Sequence, residues 1–276
     1  MLAVLLAPES HAARFVLATR RNASVSKSYE FQALWTAVRH APGAHELDIV
    51  KVDEPQATTM DRLAAGDAPF NVFIAGFSAE REARFAQVDF PISRGLLGYR
   101  LLIIPPDRQS LFNGIDSLEA LQRQARIASG TGWPDTRILK ANGIKVEEGD
   151  YMALWDRVRA GAADGYGRGA NEVMPEINGG PGDGLALEES LTIVYRLPQF
   201  AYMAKQDQEL ADLLMQGFEG AFSQGTLEAR FYRHDRNAKA LDLLKGRRVI
   251  RLTNPALTDR VKAIPDMYWV SPTEEN

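Results

Sequence analysis

The run Leu101-Leu102-Ile103-Ile104 constrains this chain more than any other stretch. Four large apolar side chains, entered through Gly95 and Gly98 and closed by Pro105 and Pro106, read as a strand buried on both faces. The segment leading to it, FSAEREARFAQVDFPISRGLLGYRLLII from Phe77 to Ile104, begins with a different chemistry. Ser78 and Arg81 stand three residues apart there, ahead of Val88-Asp89-Phe90-Pro91. The polar front reads as an anion holder, and the apolar back as a crossing from one sheet to another.

What surrounds this segment alternates between strand and helix. Residues 15–18 read as a strand. Residues 29–40 read as a helix that Ser26 or Ser28 can cap, with Phe31, Leu34, Trp35 and Val38 as its apolar stripe and Pro42-Gly43 as its stop. A strand over 47–52, a helix over 58–65 closed by Gly66, and a near-continuously apolar strand over 70–75 follow. This rhythm predicts α/β architecture.

The pattern resumes downstream with a helix over 118–124 and a strand over 126–129 that runs into Gly130-Thr131-Gly132 and a helix over 135–141. Such a turn offers backbone N–H groups at a positive helix end, the geometry that holds carboxylate or phosphate; a plain connecting turn is the alternative. A helix over 151–160 is followed by DGYGRG at 164–169, punctuated by glycine, with Arg168 as its long cation. Residues 171–177 read as helical and 178–184 as loop. Strands over 191–197 and 200–204 are separated by Pro198, and the second can carry the chain back to the first lobe. Helices are expected over 209–222 and 227–245, and a last strand over 249–252. Arg230, Arg233, Arg236 and Lys239 recur every three residues in the second of these helices; a solvated face is the default reading and a polyanion site the alternative.

A length of 276 residues is too much for one ordinary core and fits two lobes. The formal charge of −4 gives no bulk case for nucleic acid or an anionic membrane. With no cysteine there are no disulfides, thiolate metal sites or cysteine nucleophiles. His11, His40, His45 and His234 include no pair at the spacing of a helical metal site. At the N-terminus a short apolar run precedes Pro8 and Ser10-His11-Ala12-Ala13, which reads as a truncated export signal over residues 1–13; a buried first strand is the alternative. No run approaches the ~18 apolar residues that a membrane helix requires.

Taken in order, these pieces resemble the family 3 extracellular solute-binding proteins, the amino-acid receptors of ABC importers, with a type 2 periplasmic binding-protein fold. The resemblance rests on Ser78-Ala79-Glu80-Arg81 with Val88-Asp89-Phe90-Pro91, on Gly130-Thr131, on Gly161-Ala162-Ala163-Asp164-Gly165, and on Glu209-Leu210-Ala211 with Gly217, Ala221 and Gly225. It implies two mixed sheets flanked by helices and joined by a two-strand hinge near 95–99 and 197–200. Lobe 1 would comprise residues 14–97 and 199–276, and lobe 2 residues 98–198. A monomeric, exported periplasmic receptor is implied, needing no cofactor, with a small polar or anionic ligand and a membrane permease or sensor as partners. Arg81 would pair with a ligand carboxylate in a fork, helped by Ser78, Gly76 and Phe77. Tyr29 and Arg20 would stand beside them, with Thr131, Gly132 and Trp133 opposite. One departure stands out: Arg168 occupies the region where the family carries a carboxylate for the ligand's ammonium. Arg168 with Arg81 and one of Arg20, Arg21 or Arg94 would favour an acidic ligand. The alternative function is an enzyme on the same fold, such as a dehydratase of a cyclic carboxylic acid, using Glu80, Asp89, Asp164 or Glu172.

Overall fold

All six side chains of the strand Tyr99–Ile104 are buried in the computed structural model, which describes residues 12–20 and 25–271. The expected export segment therefore lies outside the described residues except for Ala12 and Ala13, as does Arg21.

In chain order the elements are β1 (Arg14–Arg20), α1 (Tyr29–His40), β2 (Glu46–Val52), α2 (Gln56–Ala65), β3 (Phe73–Gly76), α3 (Ala79–Arg84), β4 (Ala86–Val88), β5 (Tyr99–Ile104), α4 (Gln109–Asn113) and α5 (Leu118–Gln124). Then come β6 (Arg126–Gly130), α6 (Pro134–Ala141), β7 (Lys145–Gly149), α7 (Tyr151–Arg159), β8 (Gly165–Gly169), α8 (Val173–Ile177), β9 (Ala186–Leu187), β10 (Leu191–Val194) and β11 (Gln199–Met203). The chain closes with α9 (Gln208–Ser223), α10 (Thr226–Arg233), α11 (Asp235–Leu244), β12 (Arg248–Arg251) and α12 (Asp259–Lys262).

Two compact units result. The first holds the described residues up to Ala75 with Glu80–Phe90 and Phe200–Phe231. In it β1 and β2 pair in parallel, Leu17 bridges to Val72, and β3, β11 and β4 form a three-stranded sheet. Ser28 caps α1 by accepting from the Phe31 N–H at 3.2 Å, because a hydroxyl there satisfies one of the helix's orphan donors. The buried face of α1 runs through Ala33, Leu34, Ala37 and Val38, while Trp35, expected in the stripe, is 41% exposed beneath the guanidinium groups of Arg39 and Arg230. Small residues set this face: α9 approaches so closely that a Cβ on Gly217 would overlap the Ala37 carbonyl. Phe90 stacks on Phe218 of the same helix α9 at 4.7 Å.

The second unit holds Gly76–Ala79, Pro91–Gln199 and the described residues from Tyr232 onward. Its sheet runs β12-β10-β5-β8-β6-β7, with β9 also paired to β5. β5 is antiparallel to β8 and β10, whereas β6 is parallel to β7 and β8, and β10 to β12. Residues 232–271, expected in lobe 1, group here, because β12 takes the edge beside β10 and the segment after it is tied to the start of β5. Arg94, at φ +50°, donates from Nη2 to the Met267 carbonyl at 2.9 Å, and the Tyr99 hydroxyl donates to the Val270 carbonyl at 3.1 Å. The single helix expected over 227–245 is two, broken at His234, whose φ of −71° and ψ of 122° are extended. Glu188 is fully buried, accepting from the backbone N–H groups of Ser190 (2.7 Å) and Leu191 (3.0 Å) and from Gln109 (2.9 Å), with Arg247 beside it at 3.5 Å. Among the described residues, no helix is long and apolar enough to cross a membrane.

Candidate functional site

The glycine-punctuated DGYGRG stretch contributes a central strand, β8, to the sheet of the second unit. Alternation in β8 puts Gly165, Gly167 and Gly169 on one face and Tyr166 and Arg168 on the other. The glycines admit close neighbours: Cβ atoms on Gly165 and Gly167 would lie 3.1 and 3.6 Å from Ile104 and Ile127. The opposite face builds a charged, aromatic cluster.

Arg168 is its centre. Its Nε and Nη2 donate to Glu176 at 2.9 and 2.8 Å, and Glu172 lies 3.3 Å from Nη2. The rings of Trp133, Tyr151 and Tyr166 surround the guanidinium at 5.2, 5.3 and 5.3 Å, within the range of cation–π attraction. The Tyr151 hydroxyl donates to Glu176 at 3.0 Å. Glu172 extends the cluster to a second buried cation, Arg100, at 3.5 Å. Arg100 is ion-paired with Asp135 and donates from Nε to the Tyr195 hydroxyl at 3.1 Å; that hydroxyl donates onward to Asp135 at 2.5 Å. Two guanidinium groups thus stand among three carboxylates.

Electrostatics follow from this packing. Burial disfavours the Arg168 cation, but Glu172 and Glu176 outweigh it and raise its pKa. Burial likewise opposes the Glu172 carboxylate, and Arg168, Arg100 and the Gly169 N–H more than compensate, holding it below the usual range. The Tyr151 phenol is pushed up to about 12 by burial first and by Glu176 second.

The residues singled out from sequence fall in several places. Arg168, expected as a free cation facing a ligand, is instead neutralised and only 7% exposed. Trp133 joins it in the cluster. Thr131 and Gly132 are exposed in the turn after β6. That turn offers fewer donors than expected, because the Thr131 N–H bonds to the Gly149 carbonyl at 3.0 Å and the Trp133 N–H to the Gly130 carbonyl at 3.1 Å. Gly76 ends β3, Phe77 is buried, and Ser78 directly precedes α3. Phe77 and Ser78 line a cavity of about 20 Å³ with Pro134, Arg137 and Asn254, room for about one water. Arg81 lies in α3 within the first unit, half-buried, donating to Gln56 at 3.1 Å. Tyr29 opens α1, its ring edge-on to Phe231 at 5.4 Å. Arg20 ends β1, its side chain outside the described set.

Arg100, Asp135, Glu176 and Tyr195 were not picked out from sequence. A signal existed for one: Arg100 is the single charge in the apolar run 99–104. Of the carboxylates considered for catalysis, Asp89 accepts from Gln87 at 2.8 Å, and Asp164 accepts from the Arg126 N–H at 2.8 Å. Glu172 is ionised between two guanidinium groups, which does not suit a general acid.

No protein-family model matches the chain, and no curated protein matches it. Solved structures do. An ancestral arginine-binding protein bound to arginine is 15% identical, with 80% of this chain and 98% of that chain covered and a TM-score of 0.56. The probable amino-acid ABC transporter extracellular-binding protein ytmK from Bacillus subtilis is 11% identical, covers 82% and 99%, and scores 0.62. An ancestral amino acid-binding protein, a precursor of cyclohexadienyl dehydratase, is 13% identical, covers 80% and 94%, and scores 0.55. At these identities the likeness is one of fold. The chain has the α/β fold of these binding proteins, mixed sheets flanked by helices.

Proposed function

We propose that this chain is a non-catalytic receptor that closes its two units on a small polar solute, an amino acid or organic acid, for ABC import or sensing outside the cytoplasm. The observation that carries the reading is the fold, shared over four-fifths of the chain with several amino-acid-binding proteins. Arg81 supplies the carboxylate fork, with Ser78 and Gly76 as further polar contacts and Tyr29, Phe77 and Trp133 as apolar flanks. Arg20 and the Thr131-Gly132 turn complete the contact set. The engagement of Arg168 by Glu172 and Glu176 removes the main argument for a diacid. Glu172, whose side chain keeps 33% of its surface exposed, supplies negative charge for a ligand ammonium and favours an α-amino acid over an organic acid. Arg168 then acts as a positioning residue for Glu172 and Trp133.

The test is a thermal-shift screen of amino acids and small organic acids, since a ligand that binds the folded state raises its melting temperature. At least one α-amino acid should raise it in the wild type, with the rise reduced at least tenfold in ligand potency by Arg81→Ala. No shift from any compound, or identical responses in the variant, would count against the reading. Turnover of prephenate-like substrates would instead support the dehydratase alternative.

A further inference from the structure

The second unit contains a cavity of about 310 Å³ that the proposed receptor function does not use. It opens between the segment Ala170–Asn178 and the first turns of α11. Its size sits at the lower end of small-molecule sites, which run to roughly 300–1,000 Å³. Ala170, Met174 and Pro175 give it mainly apolar walls, a surface that gains by covering an apolar body.

Three polar features distinguish it from a bare apolar dent. Arg236 and Lys239 line it one helical turn apart on α11, both exposed, and neither has an ion-pair or hydrogen-bond partner among the described residues. Their stems can lie along the wall while the charged ends meet an anion. Asp235 lines the same rim, so two cations face one carboxylate. That balance suits a monoanion rather than the polyanion that the arginine row suggested, and the break at His234 separates these two cations from Arg230 and Arg233. Finally, Asn171 lines the cavity, and its Oδ1 is buried with no hydrogen-bond partner among the described residues. A buried acceptor of this kind is costly unless a donor reaches it.

We propose that this cavity is a second ligand site, taking a small amphipathic monocarboxylate whose apolar body carries a hydrogen-bond donor. The carboxylate meets Arg236 and Lys239, the body covers Met174 and Pro175, and a hydroxyl or N–H donates to Asn171. The site lies wholly within one unit and does not depend on Arg81.

Isothermal titration with three probes tests it. 4-Hydroxyphenylacetate should bind the wild-type protein. Phenylacetate, lacking the donor, should bind at least threefold more weakly, and tyramine, lacking the anion, should not bind. The double reversal Arg236→Glu/Lys239→Glu should weaken 4-hydroxyphenylacetate at least tenfold, whereas the charge-matched control Lys245→Glu/Lys262→Glu should not. All four positions are exposed, so each variant can fold, and circular dichroism checks that it has. A Met174→Trp variant, which fills the cavity without touching the charges, should also abolish binding. The proposal is overturned if 4-hydroxyphenylacetate fails to bind or binds the double reversal unchanged, if phenylacetate matches it, or if tyramine binds. Binding that the reversal leaves intact would assign the carboxylate to the receptor site instead.

Discussion

Arg168 and Glu176 form a two-point ion pair, Nε and Nη2 of the guanidinium reaching the two carboxylate oxygens at 2.9 and 2.8 Å inside a ring of aromatic side chains. Both partners are largely buried, so removing one leaves the other uncompensated. Arg168→Ala is therefore expected to cost about 3–5 kcal/mol of stability, the range for breaking a buried pair. Arg168→Lys should recover only part of it, because an ammonium cannot reproduce the planar fork. Urea unfolding measures both; a loss below about 1 kcal/mol for the alanine variant would show that the pair is not what holds this cluster.

The same cluster sets a pH dependence with a definite sign. Glu172 is held below its ordinary pKa by Arg168 and Arg100 despite its burial, so the folded protein binds fewer protons than the unfolded chain across that interval. Its contribution is complete above the unfolded glutamate value near 4.3 and is lost as pH falls through the folded value. Glu172→Gln should flatten the acid limb of a urea-midpoint titration, and unchanged slopes would contradict the assignment.

At the alkaline end Tyr151 acts in the other direction. Burial, with Glu176 beside it, moves the phenol from 10.0 to about 12, so stability declines as the unfolded chain ionises first. Ultraviolet titration should show several late-ionising phenols, since burial raises Tyr166 and Tyr195 as well, and their number should fall by one in Tyr151→Phe. An unchanged number in that variant would contradict the assignment.

Two glycines on α9 should respond oppositely to the same substitution. A Cβ at Gly217 overlaps the Ala37 carbonyl oxygen, which is backbone and cannot swing aside, so Gly217→Ala should destabilise by roughly 2 kcal/mol or more. At Gly220 the nearest atom would be the His40 carbonyl oxygen at 3.4 Å, so Gly220→Ala should be neutral or gain up to about 1 kcal/mol from helix propensity. Thermal unfolding of the two variants compares them directly. Equal effects would mean that α1 and α9 are not locked at this contact.

Glu188 makes a fifth case. Glu188→Ala removes the acceptor for the Ser190 and Leu191 N–H groups and the counter-charge of Arg247 in a fully buried position. A loss of about 3–5 kcal/mol is expected, measurable by chemical unfolding, and smaller for Arg247→Ala/Glu188→Ala than the sum of the single variants.

Much of the architecture could be read from sequence where one signal dominated. The six apolar-rich residues of β5 between glycine and proline, and α1 between its serine cap and Pro42-Gly43, left little choice. Local pattern is a poorer guide where tertiary contact overrides local preference. β8 carries three glycines in five residues, which hides a strand from composition, and a Cβ at Gly165 would crowd Ile104 at 3.1 Å. On α1 the expected Leu34 and Val38 are buried, but the face turns toward Ala33 and Ala37 and leaves Trp35 exposed, because Gly217 lets α9 close on Ala37. The candidate site was legible in its residue types and not in their partners. Arg168 could be picked out as unusual, but Glu176 lies eight residues on and across a loop, and no spacing rule connects the two.

The order of strands in the second unit carries a consequence for biosynthesis. β5 emerges from the ribosome as six consecutive residues destined for burial, yet its neighbours β8 and β10 begin at Gly165 and Leu191, and the edge strand β12 only at Arg248. The first unit fares no better, since it needs residues 200–231 to finish its sheet and its α1–α9 contact. The first unit therefore cannot complete itself until residue 231 has been made, nor the second its sheet until β12 has. Through most of synthesis the nascent protein displays an unpaired apolar strand, the kind of segment that aggregates or recruits a holding chaperone.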